Sequence, residues 1–417
     1  MKTFTFNCKF LLALFACASV SVNLLAQNDS TKIKRIATDT SKQNMNMDAV
    51  YSRPFLSVGK LPIAIGGYLE ANTMYSVTNG VTNGFSFQMR RMSLFFSSTI
   101  AKKIKFMSEL EFEEGTKEIN IEYAAIDIEL HPLLNLRGGV ILNPIGAFNQ
   151  NHDGPKWDFV ERPLSATTII PSTLSNVGFG LHGKYFIHSW ILGYETYLTN
   201  GFDDNIISNA DGRTSLADGK VNPEKFSQSN SGLPMFTGKL AASNRKVGEF
   251  GISYMTGVYN SWKAPDGLII DSKRSASVFA IDFNTSLLNN RLNVKGEVAK
   301  VWVDVPVNYI QTYGTQQLGC FVDFVGTIIQ RPILGWEKAK LNLVLRLEYV
   351  DYNQGPFRET AGNIYDDIWQ ITPGISFRPV GSTVLRFNYV YSQQRDVLGN
   401  SPPARTGAME FGISSYF

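Results

Sequence analysis

Cysteine is nearly missing. The 417 residues hold three, and Cys8 and Cys17 fall in a stretch that reads as a secretory leader. That leaves Cys320 alone, and one thiol permits no disulfide framework within a chain. Histidine is just as sparse: His131, His152, His182 and His188, none in an HExxH or Cys/His metal spacing. The nucleophile-elbow, phosphate-loop and dinucleotide strings are absent too. His152-Asp153 is a weak hint of a hydrolase or metal site. Asp203-Asp204, Asp211-Gly212 and Asp218-Gly219 read better as solvated turns than as calcium ligands. No catalytic residue, cofactor or metal is therefore expected. Beyond residue 26 no apolar run approaches the ~18 residues of a membrane-spanning helix. A one-signed charge is also lacking: the formal net charge is +3, and about +1 once Lys2 and Lys9 leave. That balance gives no reason to expect a nucleic-acid partner.

What is present begins with residues 1–26. Lys2 and Lys9 make a basic start, residues 10–18 an apolar stretch too short to span a bilayer, and Leu24-Leu25-Ala26 a cleavage site before Gln27. Cys17 mimics a lipoprotein site, but Phe15 fits that pattern poorly. The chain then divides into a signal peptide (1–26), a polar, irregular, flexible periplasmic leader (27–60) and one domain over 61–417.

That domain alternates apolar and polar residues with period 2, as half-buried strands do. Over 68–77, Leu69, Ala71, Tyr75 and Val77 oppose Glu70 and Asn72. Over 106–114, Phe106, Leu110 and Phe112 oppose Lys105, Glu109, Glu111 and Glu113. Leu341, Leu343, Leu345, Leu347 and Tyr349 oppose Asn342, Arg346 and Glu348. Leu385, Phe387, Tyr389 and Tyr391 oppose Arg386 and Asn388.

A soluble sandwich alternates as well. Three features favour a transmembrane barrel. The polar face repeatedly carries charge while the other is aliphatic and aromatic. Short connections (101–103, 131–133, 187–189, 288–290, 378–381) alternate with long ones (143–176, 200–233, 261–275, 304–316, 353–363, 395–406), as periplasmic turns and outer loops do. The chain ends on an aromatic, Phe417, which outer-membrane assembly machinery would read. About 16 strands are expected, closed on themselves because lipid cannot satisfy a free edge. A barrel of 16–18 strands encloses an aqueous channel.

The 143–176 stretch has no strand or helix period, yet it carries Phe148, Trp157, Phe159 and Ile169-Ile170. Disordered segments usually lack such residues, and loops this long usually have a function. The expectation is a loop folded into the barrel that narrows the pore, with Lys156 and Arg162 setting its field. Arg162 has a second reading, as a tie to an inward carboxylate such as Glu111. Parity places Lys105, Arg137, Arg346 and Arg386 on the inward face with Glu109 and Glu111, so the lumen charge is mixed.

Three strings carry a family resemblance: FSFQMRRMSLFF at 85–96, RGGVILNPIG at 137–146 and ERPL at 161–164. Their order resembles the phosphate-selective porin O and P family over roughly residues 60–200. The cleavage before Gln27 resembles that of Bacteroidetes-type Gram-negative proteins. The resemblance implies a trimeric outer-membrane porin with a narrow, anion-attracting pore, in contact with lipid and small hydrophilic solutes or anions. A phosphate channel would line its path with uncompensated Arg and Lys; the mixed inward charges favour a general or weakly selective pore. Two other classes fit a barrel: an outer-membrane enzyme of lipase or protease type, and an adhesion or recognition barrel.

Overall fold

The computed structural model describes residues 33–36, 45–58, 62–220, 224–307 and 314–417. The expected signal peptide lies outside them. Sixteen antiparallel strands follow in chain order: β1 (Ala64–Thr78), β2 (Val81–Ala101), β3 (Ile104–Glu113), β4 (Glu118–His131), β5 (Leu134–Leu142), β6 (Ser175–Ile187), β7 (Trp190–Thr199), β8 (Met235–Asn244), β9 (Gly248–Val258), β10 (Ser275–Leu287), β11 (Leu292–Val303), β12 (Gln316–Gln330), β13 (Lys340–Gln354), β14 (Asp367–Arg378), β15 (Thr383–Gln394) and β16 (Ala404–Tyr416). Each pairs with the next, and β16 pairs with β1 from Thr406↔Thr78 to Tyr416↔Tyr68, so the sheet closes.

The two faces have reversed polarity relative to a soluble protein. On β13, Asn342, Arg346 and Glu348 are buried, while Leu343 and Leu347 are exposed. On β15, Arg386 and Asn388 are buried and Phe387 and Tyr389 exposed. The charged face therefore looks into the barrel and the apolar face outward, which is the arrangement lipid contact requires.

Strict alternation breaks at bulges. Glu70 pairs with Arg91 but Ala71 with Met89, so Arg90 is an extra residue on β2. Glu122 is likewise extra on β4, between the Glu109↔Tyr123 and Leu110↔Ile121 pairs. A bulge re-aims side chains that a regular strand would send to opposite faces. Consequently Arg90 and Arg91 both reach carboxylates, and both Glu122 and Tyr123 are buried.

One end of the barrel has mainly tight turns and the other holds the loops. The turn at 331–339 is an exception, a longer connection at the short-turn end that carries exposed Leu334 and Trp336. Two short strands, Ile33–Ile36 and Phe55–Val58, pair with each other, and the second also touches β1. Residues 45–58 fall within the stretch read as a flexible leader. They pack against the inner wall instead, with Met45, Met47, Arg53 and Phe55 buried.

The orientation of β13 has a measurable consequence. Leu347→Arg places a charge on the outer face and should cost roughly 2–4 kcal/mol near a bilayer midplane. Denaturant unfolding of the variant folded in lipid vesicles reads this out, with Leu347→Ala as the reference. Equal midpoints for the two would contradict the outward assignment.

Candidate functional site

The loop over 143–174 enters the barrel because its first turn is anchored. Asn143 Nδ2 bonds Asn176 Oδ1 across the loop base at 2.6 Å, and Asn149 Nδ2 donates to the carbonyls of Asn143 and Leu174. Gly146 has φ +65, and a Cβ there would lie 2.2 Å from Glu297 Oε2. Only glycine fits that approach without strain. Glu297 accepts from the amides of Ala147 (2.7 Å) and Phe148 (3.3 Å), while Lys239 Nζ donates to the Gly146 carbonyl (2.6 Å).

From there the loop crosses to the other wall. Arg378 donates to the Pro155 carbonyl (2.8 Å), Arg386 to the Phe159 carbonyl (2.7 Å) and Arg346 to the Glu161 carbonyl (2.8 Å). The amides of Val160 and Leu164 donate to Asn388 (2.8 Å) and Glu348 (2.6 Å). All these partners are on the charged inner face. Aromatic contacts fill the turns: Phe148 and Trp157 have centroids 4.6 Å apart, and Trp157 meets Phe321 at 6.2 Å. Ile169, Ile170 and Leu174 join an apolar cluster with Ala280, Val301 and Val350. The loop is thus packed within the lumen, buried and bonded on several sides.

The candidate residues are placed as follows. Lys156 Nζ sits 3.2 Å from Asp153 and donates to the Ala49 carbonyl (3.0 Å), with a fifth of its side chain exposed. Arg162 Nη2 lies 3.6 Å from Glu111 Oε1, and its guanidinium stands 5.8 Å from the Phe148 ring. Glu111 also accepts from Tyr68 (2.8 Å) and Ser93 (2.6 Å). Glu109 is 2.8 Å from Arg53 and 3.6 Å from His152. The structure therefore gathers Lys156, Arg162, Glu109 and Glu111 around one stretch of the loop. Of the other four, Arg346 and Arg386 hold the loop from the opposite wall, while Arg137 and Lys105 stand apart from it. Arg137 is bidentate to Asp127 (2.7 and 3.1 Å) and Arg346 to Asp323 (2.6 and 2.8 Å). Arg386 meets Glu70 (2.6 Å), and Lys105 meets Glu129 (2.5 Å) at a half-exposed rim.

The loop's own charges are held by their surroundings. Burial alone would raise Asp153, yet Arg53 and then Lys156 outweigh it and hold that carboxyl below the usual range. Burial pushes the Lys156 ammonium below its ordinary value, against the pull of Asp153.

Several contributors escaped sequence reasoning. Arg53 lies in a stretch too irregular to show a period, although the neighbouring Tyr51 and Phe55 are core-type residues. Arg91 bonds Glu70 and Glu113, and Arg90 bonds Glu161, which also accepts from Asn72. The paired arginines and the 161–164 string thus meet in space. Among the described residues, Glu109–His152–Asp153 and Glu111–Glu113–Glu122 bring metal-ligand atoms within 4.8 Å of one another. Arg53 beside the first and Arg91 and Arg162 beside the second already supply positive charge.

No known protein-family profile matches the sequence. A curated protein of Aquifex aeolicus (strain VF5), described as an uncharacterized protein, is 32% identical over 149 residues, 34% of this chain and 33% of that one. The chain thus matches about a third of that relative's length. Solved structures share the fold. OmpF of Salmonella typhi, in complex with daunomycin, aligns over 85% of this chain and 98% of its own at TM-score 0.52 and 9% identity. The anion-selective porin of Comamonas acidovorans aligns over 85% and 99% at 0.51 and 11% identity. The outer-membrane channel DcaP of Acinetobacter baumannii gives 85%, 97%, 0.51 and 12%. The fold is that of sixteen-stranded outer-membrane porins.

Arg386 offers a test of loop anchoring. Arg386→Met removes a donor from Glu70 and from the Phe159 carbonyl, and breaking a buried pair costs about 3–5 kcal/mol. Limited proteolysis should then cut within 148–162, where the parent resists. Equal resistance would show that the loop does not depend on this wall.

Proposed function

We propose that the protein is an outer-membrane porin through which small hydrophilic solutes diffuse passively, with the 143–174 loop as the constriction. The observation that carries this reading is the reversed polarity: charge and an inward loop inside, apolar side chains outside. A lumen lined with charge stays wet, and a loop packed across it limits the size of what passes. Orientation follows, with the short-turn end in the periplasm.

The pore is weakly selective. The inward arginines are matched by carboxylates at close range, so no uncompensated ladder of cations attracts phosphate. The local exception is Lys295 beside Trp157; Lys156, on the same cavity, is paired with Asp153 at 3.2 Å. Lys295 Nζ stands 4.3 Å from the Trp157 ring, and both lysines border a cavity of about 350 Å³. Positive side chains in a confined aqueous path raise the local anion concentration. Anions, phosphate among them, are therefore included in the solute class. The resemblance to the porin O and P family points the same way and extends the proposal to a homotrimer.

Single-channel recording in planar bilayers tests this. Discrete ohmic steps are expected, with reversal potentials under a KCl gradient near weak selectivity. Lys156→Glu should move selectivity toward cations, more at low salt, since salt screens the field. Deleting 148–160 should raise conductance. If neither variant differs from the parent, the loop is not the constriction; no steps at all would contradict the pore itself.

A further inference from the structure

The short-turn end of the barrel is spanned by part of the chain itself. Met45 and Met47 pack on Ile191 of β7. The Asn46 amide donates to Glu249 of β9 (2.9 Å), Asp48 accepts from Lys184 of β6, and Tyr51 donates to Asp127 of β4. These partners lie on four different strands, so the segment runs across the mouth. It separates two cavities. One, about 910 Å³, is bordered by Met47, Asp48, Tyr51, Lys105, Arg137 and Lys184. The other, about 350 Å³, is bordered by Met45, Asn46, Ala49, Lys156 and Lys295. Ser52 touches both.

The two ends of this segment are held unequally. Arg53 has no exposed side-chain surface, lies 2.6 Å from Asp153 and 2.8 Å from Glu109, and stacks 4.0 Å over Phe95. Phe55 joins the same cluster with Tyr68, Phe95 and Tyr416. At the other end the Asp48–Lys184 pair has both side chains about a quarter exposed, at 23% each. A pair that reaches solvent is screened by salt, whereas Met45, Met47, Ala49 and Val50 of the same segment are held by apolar burial. Withdrawal of residues 45–51 leaves Asp127 with Arg137 and Lys156 with Asp153, and takes the Asn46 amide from Glu249.

We propose that residues 45–51 are a strap hinged at Arg53, which swings out of the periplasmic mouth, merges the two cavities and so sets the pore's conductance. The proposal rests on the pore reading above. The strap acts in series with the 143–174 loop, and it responds to salt while the buried Arg53 anchor does not.

The test is single-channel recording of the full chain carrying Asp48→Cys and Lys184→Cys in a Cys320→Ser background. The oxidised form should stay at one low conductance level. Reduction should restore excursions to a higher level. A second protein, lacking residues 28–52 but keeping Arg53, should occupy the higher level throughout. Identical traces before and after reduction, or equal conductance of the shortened and full chains, would overturn the strap. Channels absent from both proteins would overturn the pore reading and the strap with it.

Discussion

A bilayer offers no hydrogen-bond partner to a bare sheet edge, and that constraint governs the whole molecule. An unsatisfied backbone group in hydrocarbon costs several kcal/mol, so the last strand must return to the first. Pairing of β16 with β1 over their length achieves this. Closure then fixes the two surfaces. The outer one faces lipid and must be apolar; the inner one is free to carry charge, provided that charge is solvated or paired.

The inner surface relies largely on pairing. Carboxylates from one strand meet guanidinium groups from neighbours or from the loop, as in Glu70 with Arg386 and Arg91. Such pairs keep the interior polar without giving it a strong sign. They also serve as attachment points for chain that is not strand. The 143–174 loop donates amides to Glu297, Asn388 and Glu348 and accepts on its carbonyls from Arg346, Arg378 and Arg386. The same chemistry that neutralises the lumen therefore positions the loop packed within it. Lys156 and Lys295 stand beside a cavity that Glu249 and Asp282 also border.

Much of this was legible in the sequence because period 2 is a local signal. The outward Leu343 and Leu347 and the inward Arg346 and Glu348 follow from alternation alone, as does the placement of Arg386. The 143–176 stretch stood out because it combined aromatics with the absence of any period. Bulges were invisible: alternation gives no sign that Arg90 and Glu122 are extra residues, and their partners depend on register. Contacts that join distant segments were equally hidden, since Val160 and Asn388 are 228 residues apart. Residues 45–58 have no period to read, and what orders them is the wall they pack on, through Arg53 and its carboxylates. The long 331–339 turn breaks the rhythm of connections.

The central claim is that a conducting barrel carries its 143–174 loop against the inner wall. Val160 offers the most direct test, because a Cβ built on Gly412 of β16 would lie 3.3 Å from its methyl carbons. With Val160→Cys and Gly412→Cys in a Cys320→Ser background, oxidation should form a cross-link. Single-channel conductance should then match the reduced form, since the bond fixes the loop where it already lies. Failure of the cross-link to form, or a conductance that changes when it does, would contradict the account.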